Sequence, residues 1–187
     1  RSTQEQFLAA ARLIHEFKIA AFYDFIFDNP WESREETLET VSAIMAIPRP
    51  FHAELFSLVF YRGTTLRERA EKEGIPIRED PNQKDFFILH RRRVNDLAET
   101  AVNFPLMLMR PLLERFRKHP DSFWTGFALS AAKWSCGLFF NPIAYFRLIR
   151  MSQGGSLIKT IAVLPNYLRT AFWKYYLAMF MHKRIED

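Results

Sequence analysis

The 187-residue sequence predicts an α/β fold in two parts: βα units with parallel strands over residues 1–82, then an all-α region over residues 83–187. Three observations predict it. Segments of helical and strand character alternate as far as Pro76, and beyond Gln83 the strand signal is gone. The charge reverses at the same place, from 10 Lys/Arg against 14 Asp/Glu before Gln83 to 16 against 7 from Gln83 onward. A reversal of that size marks a change of architecture or of partner. Finally, 49% of the residues are hydrophobic and 19 are Phe, enough apolar area for a packed core and too much for a disordered chain.

The elements follow in order. Thr3 with Gln6 makes a capping-box start, and Phe7, Ala10, Ala11, Ile14 and Phe17 recur at helical spacing. Ile19 to Phe27 reads as a strand, apolar and nearly free of charge, as a strand buried on both faces should be. Ser33 and Glu36 form a second capping box. Leu38, Val41 and Met45 carry that helix to Pro48 and Pro50. His52 to Phe60 is a second strand. Thr65 with Glu68 starts a third helix, closed by Gly74 and Pro76. Two strands alone make no stable parallel sheet covered on both faces, so the pattern is expected to be part of a barrel whose earlier strands lie outside this chain, which opens in mid-pattern at Arg1.

In the second half, Leu89, Leu97, Ala101 and Phe104 predict a helix, broken or bent near Pro105 and Pro111. Asp121 is placed to cap another, running through Trp124, Phe127, Ala131 and Trp134 toward Asn141-Pro142. Gly154-Gly155 separates a last helical segment in which Ile158, Ile161, Leu164, Leu168, Phe172 and Tyr175 recur at three or four, with Pro165 as a kink. No signal peptide is visible. The longest uncharged stretch, between Lys133 and Arg147, is short of a bilayer span and interrupted by Asn141-Pro142. A cytoplasmic protein with peripheral membrane association is the expectation.

Two passages carry a family resemblance. One is Tyr23-Asp24-Phe25-Ile26-Phe27-Asp28-Asn29-Pro30-Trp31-Glu32, a strand entering a polar turn before a capped helix. The other is Pro48-Arg49-Pro50-Phe51, then Leu55-Phe56-Ser57-Leu58, then Gly63-Thr64-Thr65-Leu66. In parallel sheets ligands sit beyond the C-terminal strand ends, where Asp28, Asn29 and Glu32 stand at one and Tyr61 to Thr65 at the other. Asn29 offers donors and acceptors for a purine edge or a ribose. Glu32 suits a ligand group or, equally, the positive end of the helix that follows. Thr64 suits polar contacts at the mouth or organisation of its own loop.

Over Arg1 to Pro76 the two passages resemble the fifth and sixth βα units of the radical S-adenosylmethionine (SAM) barrel. The likeness is greatest to the enzymes that carry a cobalamin-binding domain ahead of it. Arg62 departs from the Pro that those enzymes usually place before Gly-Thr. The resemblance implies SAM and a [4Fe–4S] cluster as cofactors, with cobalamin accompanying them. The implied chemistry is reductive cleavage of SAM for hydrogen abstraction or radical methylation of a small-molecule or lipid-like substrate. It makes Asp28, Asn29, Glu32, Ser57 and Thr64 the cofactor-side candidates. The cluster cysteines, the rest of the barrel and the cobalamin domain would then lie outside this chain, and the helical region would cap the substrate.

Other features point to simpler roles. Cys136 is the only cysteine, so no disulfide and no multi-cysteine metal site can form within the chain, and its apolar setting suits an inert buried thiol. His15, His52, His90, His119 and His182 show no ligand spacing. On a helix, Arg91-Arg92-Arg93 would spread around the axis, and no nucleic-acid motif accompanies them, so no nucleic-acid partner is expected. The aromatic and basic residues of the helical region fit either packing on the rest of an enzyme or contact with a membrane. The competing reading of the whole chain is a non-catalytic helical module that docks on a membrane surface or a partner subunit.

Overall fold

The computed structural model describes residues 3–77 and 89–167 and shows a mixed α/β protein, mostly helical, with one small parallel sheet. Helix α1 (Gln4–Glu16) leads to β1 (Phe22–Phe27), α2 (Arg34–Ala46), β2 (His52–Ser57) and α3 (Thr65–Lys72). Then come α4 (Arg93–Asn103), α5 (Leu106–Lys118), α6 (Phe123–Ser135), a π turn (Cys136–Phe140), α7 (Asn141–Ser152) and α8 (Leu157–Tyr167). The 82/83 boundary, His182, and the expected run of the last helix through Leu168, Phe172 and Tyr175 lie outside the described residues.

Both capping boxes form as the sequence predicts. Thr3 and Gln6 exchange backbone and side-chain bonds, and Ser33 and Glu36 do the same. Those bonds from Ser33 hold the Glu36 carboxyl below its ordinary range. At α3 the cap is Thr64, one residue earlier than expected: its hydroxyl accepts from the Arg67 amide at 3.3 Å and donates to the Tyr61 carbonyl at 2.8 Å. Gly74 ends that helix at φ 68°, letting the Ile75 amide reach back to the Ala70 carbonyl.

β1 and β2 pair in parallel, Phe22 opposite His52 through Phe27 opposite Ser57. Both are shorter than predicted. Ile19–Ala21 precede the sheet because Lys18 turns the chain at φ 56° and the Ile19 amide bonds back to Ile14. β2 ends at Ser57, and the Leu58 amide then closes onto the Phe27 carbonyl at 2.8 Å. The strands are also not buried on both faces. Tyr23, Phe25 and Phe27 face the helices, with Phe7 of α1 edge-on to Tyr23 and Phe25 at 5.6 and 6.3 Å. Phe22 and Ile26, on the other face, are 66% and 59% exposed. Among the described residues, helices cover one side of the sheet only.

The core beneath that side draws on both parts of the chain. Ala11, Phe27, Leu38, Val41 and Ile44 pack in one buried cluster with Leu97, Ala98, Ala101 and Met109. Arg49 stitches the parts together. Its guanidinium donates to the Ala101 and Phe104 carbonyls, both at 2.6 Å, closing the C-terminal end of α4.

The helical region breaks at Pro105 as expected, α4 ending at Asn103 and α5 opening at Leu106, while Pro111 sits inside α5 without ending it. Two expectations are corrected. The cap of α6 is Ser122, not Asp121, and it makes no side-chain cap bond. Asn141-Pro142 does not stop the helix. The π turn widens the coil so that the Asn141 amide bonds Cys136, and Pro142, which has no amide to give, enters the first turn of α7. Gly154 and Gly155 separate α7 from α8, both at positive φ, and the Gly155 amide caps Arg150. No described helix is long and apolar enough to cross a membrane.

Candidate functional site

The C-terminal ends of β1 and β2 bring Asp28 and Ser57 together, because they follow each other in register across adjacent parallel strands. Asp28 adopts φ 59°, a conformation that Asp and Asn tolerate better than most residues. This turns its carboxylate inward, with its side chain 6% exposed. Ser57 Oγ donates to Asp28 Oδ2 at 2.5 Å, and Asn95 Nδ2 donates to the same oxygen at 2.8 Å. His90 Nδ1 stands 3.4 Å from Oδ2, and Arg92 Nη1 stands 3.3 Å from Oδ1. The Ser57 hydroxyl in turn accepts from the His90 amide at 2.8 Å, and Asn95 Nδ2 also reaches the His90 carbonyl at 2.9 Å. Asp28 therefore anchors the segment before α4 across the strand ends.

Asn29 and Glu32 belong to the neighbouring turn. Asn29 Oδ1 accepts from the Trp31 amide at 3.2 Å, and its Nδ2 donates to Glu32 Oε1 at 3.1 Å. The Glu32 side chain is exposed and keeps its second oxygen for other donors. It also lines a shallow cleft of about 380 Å³ with Glu36, Glu39 and Thr40. Trp31 fixes this turn to α3: its Nε1 donates to Glu73 at 2.6 Å, and Arg69 stacks on its ring at 4.4 Å. Thr64 serves as the α3 cap and is not brought to Asp28, Ser57 or Asn29 by any bond among the described residues.

Sequence reasoning missed His90, Arg92 and Asn95, whose place depends on the chain returning from residues far along. The Arg91–Arg93 run was read as helical. Arg92 instead precedes α4 in extended conformation, and Arg93 is the first residue of the helix. It missed also the polar set on the open sheet face. There Asp24 lies opposite Glu54, and His52 Nε2 stands 3.6 Å from Glu54 Oε1. Burial holds the His52 imidazole below its ordinary value, against the opposing pull of Glu54 and Asp24. Strict alternation along Phe22, Asp24 and Ile26 was the available signal.

The described residues do not fit an iron–sulfur cluster. Cys136 is buried beneath α4, and loss of solvation pushes its thiol up to about 12 despite nearby Arg49. No group of three or more His, Cys, Asp or Glu among them is placed to hold a metal ion. Comparison of the chain with protein-family models, curated proteins and solved structures finds no match.

Proposed function

We propose that the chain is the C-terminal portion of a radical SAM enzyme of the cobalamin-carrying type, with residues 1–82 forming the last βα units of a partial barrel. In that enzyme the cofactors, whose cluster ligands come from outside this chain, supply reductive cleavage of SAM for hydrogen abstraction or radical methylation. One observation carries the reading: two parallel strands in register, with helices on one side and, among the described residues, no helix on the other. A barrel wall has this form, with helices outside and strand faces turned to a shared interior. That second face mixes apolar Phe22 and Ile26 with Asp24, Glu54 and His52, a surface suited to a polar ligand with an aromatic base.

The five candidate residues divide by what their geometry leaves free. Asp28 and Ser57 shape the strand ends through each other. Asn29 and Glu32 remain exposed enough to meet an adenosine, and Thr64 holds the loop beside them. The helical region supplies the lid, locked to the strand ends through His90, Arg92 and Asn95.

Equilibrium binding of SAM to the polypeptide encoded by the whole reading frame tests this. N29D keeps the acceptor for the Trp31 amide and removes the amide donor, while E32Q removes the charge. The pair is expected to weaken SAM binding by about tenfold or more, the scale of one or two hydrogen bonds to a charged or polar ligand. A reading frame without a CxxxCxxC motif ahead of Arg1, or SAM binding indifferent to both substitutions, refutes the reading.

A further inference from the structure

Helix α6 is apolar over most of its circumference, with Lys133 its one charged residue, although half of it faces solvent. Its inward side buries Thr125, Leu129 and Ala132. Its outward side carries Phe123, Trp124, Phe127, Ala131 and Trp134 with Ser130, and no charged residue. Phe123 is 72% exposed, Trp124 64%, Phe127 60% and Trp134 60%. A helix of that composition is normally enclosed, and a contiguous exposed patch of this kind marks an interaction surface. The rings at its start already cluster, Phe123 with Trp124 at 5.5 Å and Trp124 with Phe127 at 6.3 Å, both edge-on. The π turn continues the apolar surface through Leu138 and Phe139 to Ile143 on α7.

Charge beside the stripe identifies what covers it. A cleft of about 450 Å³ between α4 and α6 is lined by Arg93, Asp96, Lys133, Phe123 and Phe127. Burial lowers the Lys133 ammonium's proton affinity, but Glu99 and Asp96 outweigh it and hold the group above its ordinary value. Lys133 pairs with Asp96 and stands 2.7 Å from Glu99, so its charge is spent within the protein. Arg93 is different. Its guanidinium lies against Gly126 and donates to the Pro120 carbonyl at 2.8 Å, with no carboxylate partner among the described residues. The surrounding region adds a general attraction for anions, since residues 89–167 hold 11 Lys/Arg against 4 Asp/Glu.

We infer that the α6 stripe is a docking surface for an anionic lipid bilayer. Phe123, Trp124, Phe127 and Trp134 would enter to headgroup depth, and Arg93 would meet a lipid phosphate at the edge of the cleft. Indole rings favour that depth, and a helix lying in the interface buries its apolar face without spanning. A uniformly apolar partner protein would leave Arg93 facing an uncharged wall, and a second copy of the chain would set Arg93 near its own likeness. An anionic surface satisfies both the rings and the cation.

Flotation of the full polypeptide with phosphatidylcholine vesicles, with and without 30% phosphatidylglycerol, tests this independently of any SAM chemistry. Binding is expected to the anionic vesicles, with a blue shift of tryptophan emission and quenching by brominated lipids. W124E/F127E alters only exposed positions and should reduce partitioning by about tenfold or more. R93Q should reduce it by about fivefold on anionic vesicles and leave neutral ones unaffected. The inference is overturned if the wild-type chain does not float, if the variants float equally well, or if W124E/F127E instead dissolves a dimer. Circular dichroism matching the wild type establishes that the variants are folded.

Discussion

Replacing Asp28 should loosen the seam between the sheet and the helical region, and the geometry allows the loss to be estimated. Asp28→Ala removes the acceptor for Ser57 Oγ at 2.5 Å and for Asn95 Nδ2 at 2.8 Å. It also removes the contact with His90 and the ion pair to Arg92. Arg92 is well exposed, so its pair contributes little beyond about 0.5 kcal/mol. The buried bonds dominate. Each hydrogen bond to a charged acceptor contributes about 1.5–3 kcal/mol, and Asn95 at 1% exposure would be left with only the His90 carbonyl. Ala at φ 59° adds roughly 1 kcal/mol of backbone strain that Asp largely escapes. Together the loss is about 4.5–7.5 kcal/mol, or roughly 9–30 °C in Tm for a chain of this size. Asn tolerates the same backbone and keeps one acceptor, so D28N should cost about half as much. Urea unfolding of both variants, combined with N95A in a double-mutant cycle, measures it. The cycle should show about 1–3 kcal/mol of coupling. A D28A loss below about 0.5 kcal/mol, or strict additivity with N95A, would refute the view of Asp28 as the anchor.

Two other substitutions probe separate parts of the fold. Arg49→Met fills similar space but orphans the Ala101 and Phe104 carbonyls at the end of α4. It should lower stability by about 2–4 kcal/mol in denaturant titration, and R49K, with no planar fork, should recover only part of it. His52, held below its ordinary value mainly by burial, binds its proton less readily in the folded chain than in the unfolded one. Stability from this group is therefore present above the unfolded value of about 6.5 and is lost as pH falls toward the lowered native value. H52Q should flatten the slope of stability between about pH 5 and 7, and an unchanged slope would show that other groups set it.

What the sequence reveals of this molecule follows the range of the interactions. Capping boxes at Thr3 and Ser33 are legible because donor and acceptor lie three residues apart. The pairing of β1 with β2 is legible because consecutive strands with a helix between them seldom pair otherwise. Strand length is overread at Ile19–Ala21, where apolar composition hides a turn made by Lys18. Asn141-Pro142 reads as a stop because a proline in a regular α-helix clashes with the preceding turn, and here the π turn just before it admits the proline without a break. The site divides in the same way. Asp28 and Ser57 can be paired from strand order alone. His90, Arg92 and Asn95 cannot, since they arrive from far along the chain and carry no spacing that links them to Asp28. Arg49 presents the same difficulty: beside two prolines it resembles a loop cation, and its role depends on α4 ending within reach.

The paired strands have a consequence for handling the protein. β1 has one edge whose amides and carbonyls meet no partner among the described residues, the kind of edge on which foreign strands template themselves. Asp24 and Glu54 face each other across the ribbon, an arrangement that costs the ribbon some cohesion. Stacking a second ribbon on that surface would crowd four carboxylates together, so the repulsion within one molecule also discourages sheets from piling up between molecules. Removing the charges in D24N/E54Q should therefore lift the barrier and lower the protein concentration at which precipitation sets in, with the helices intact by circular dichroism.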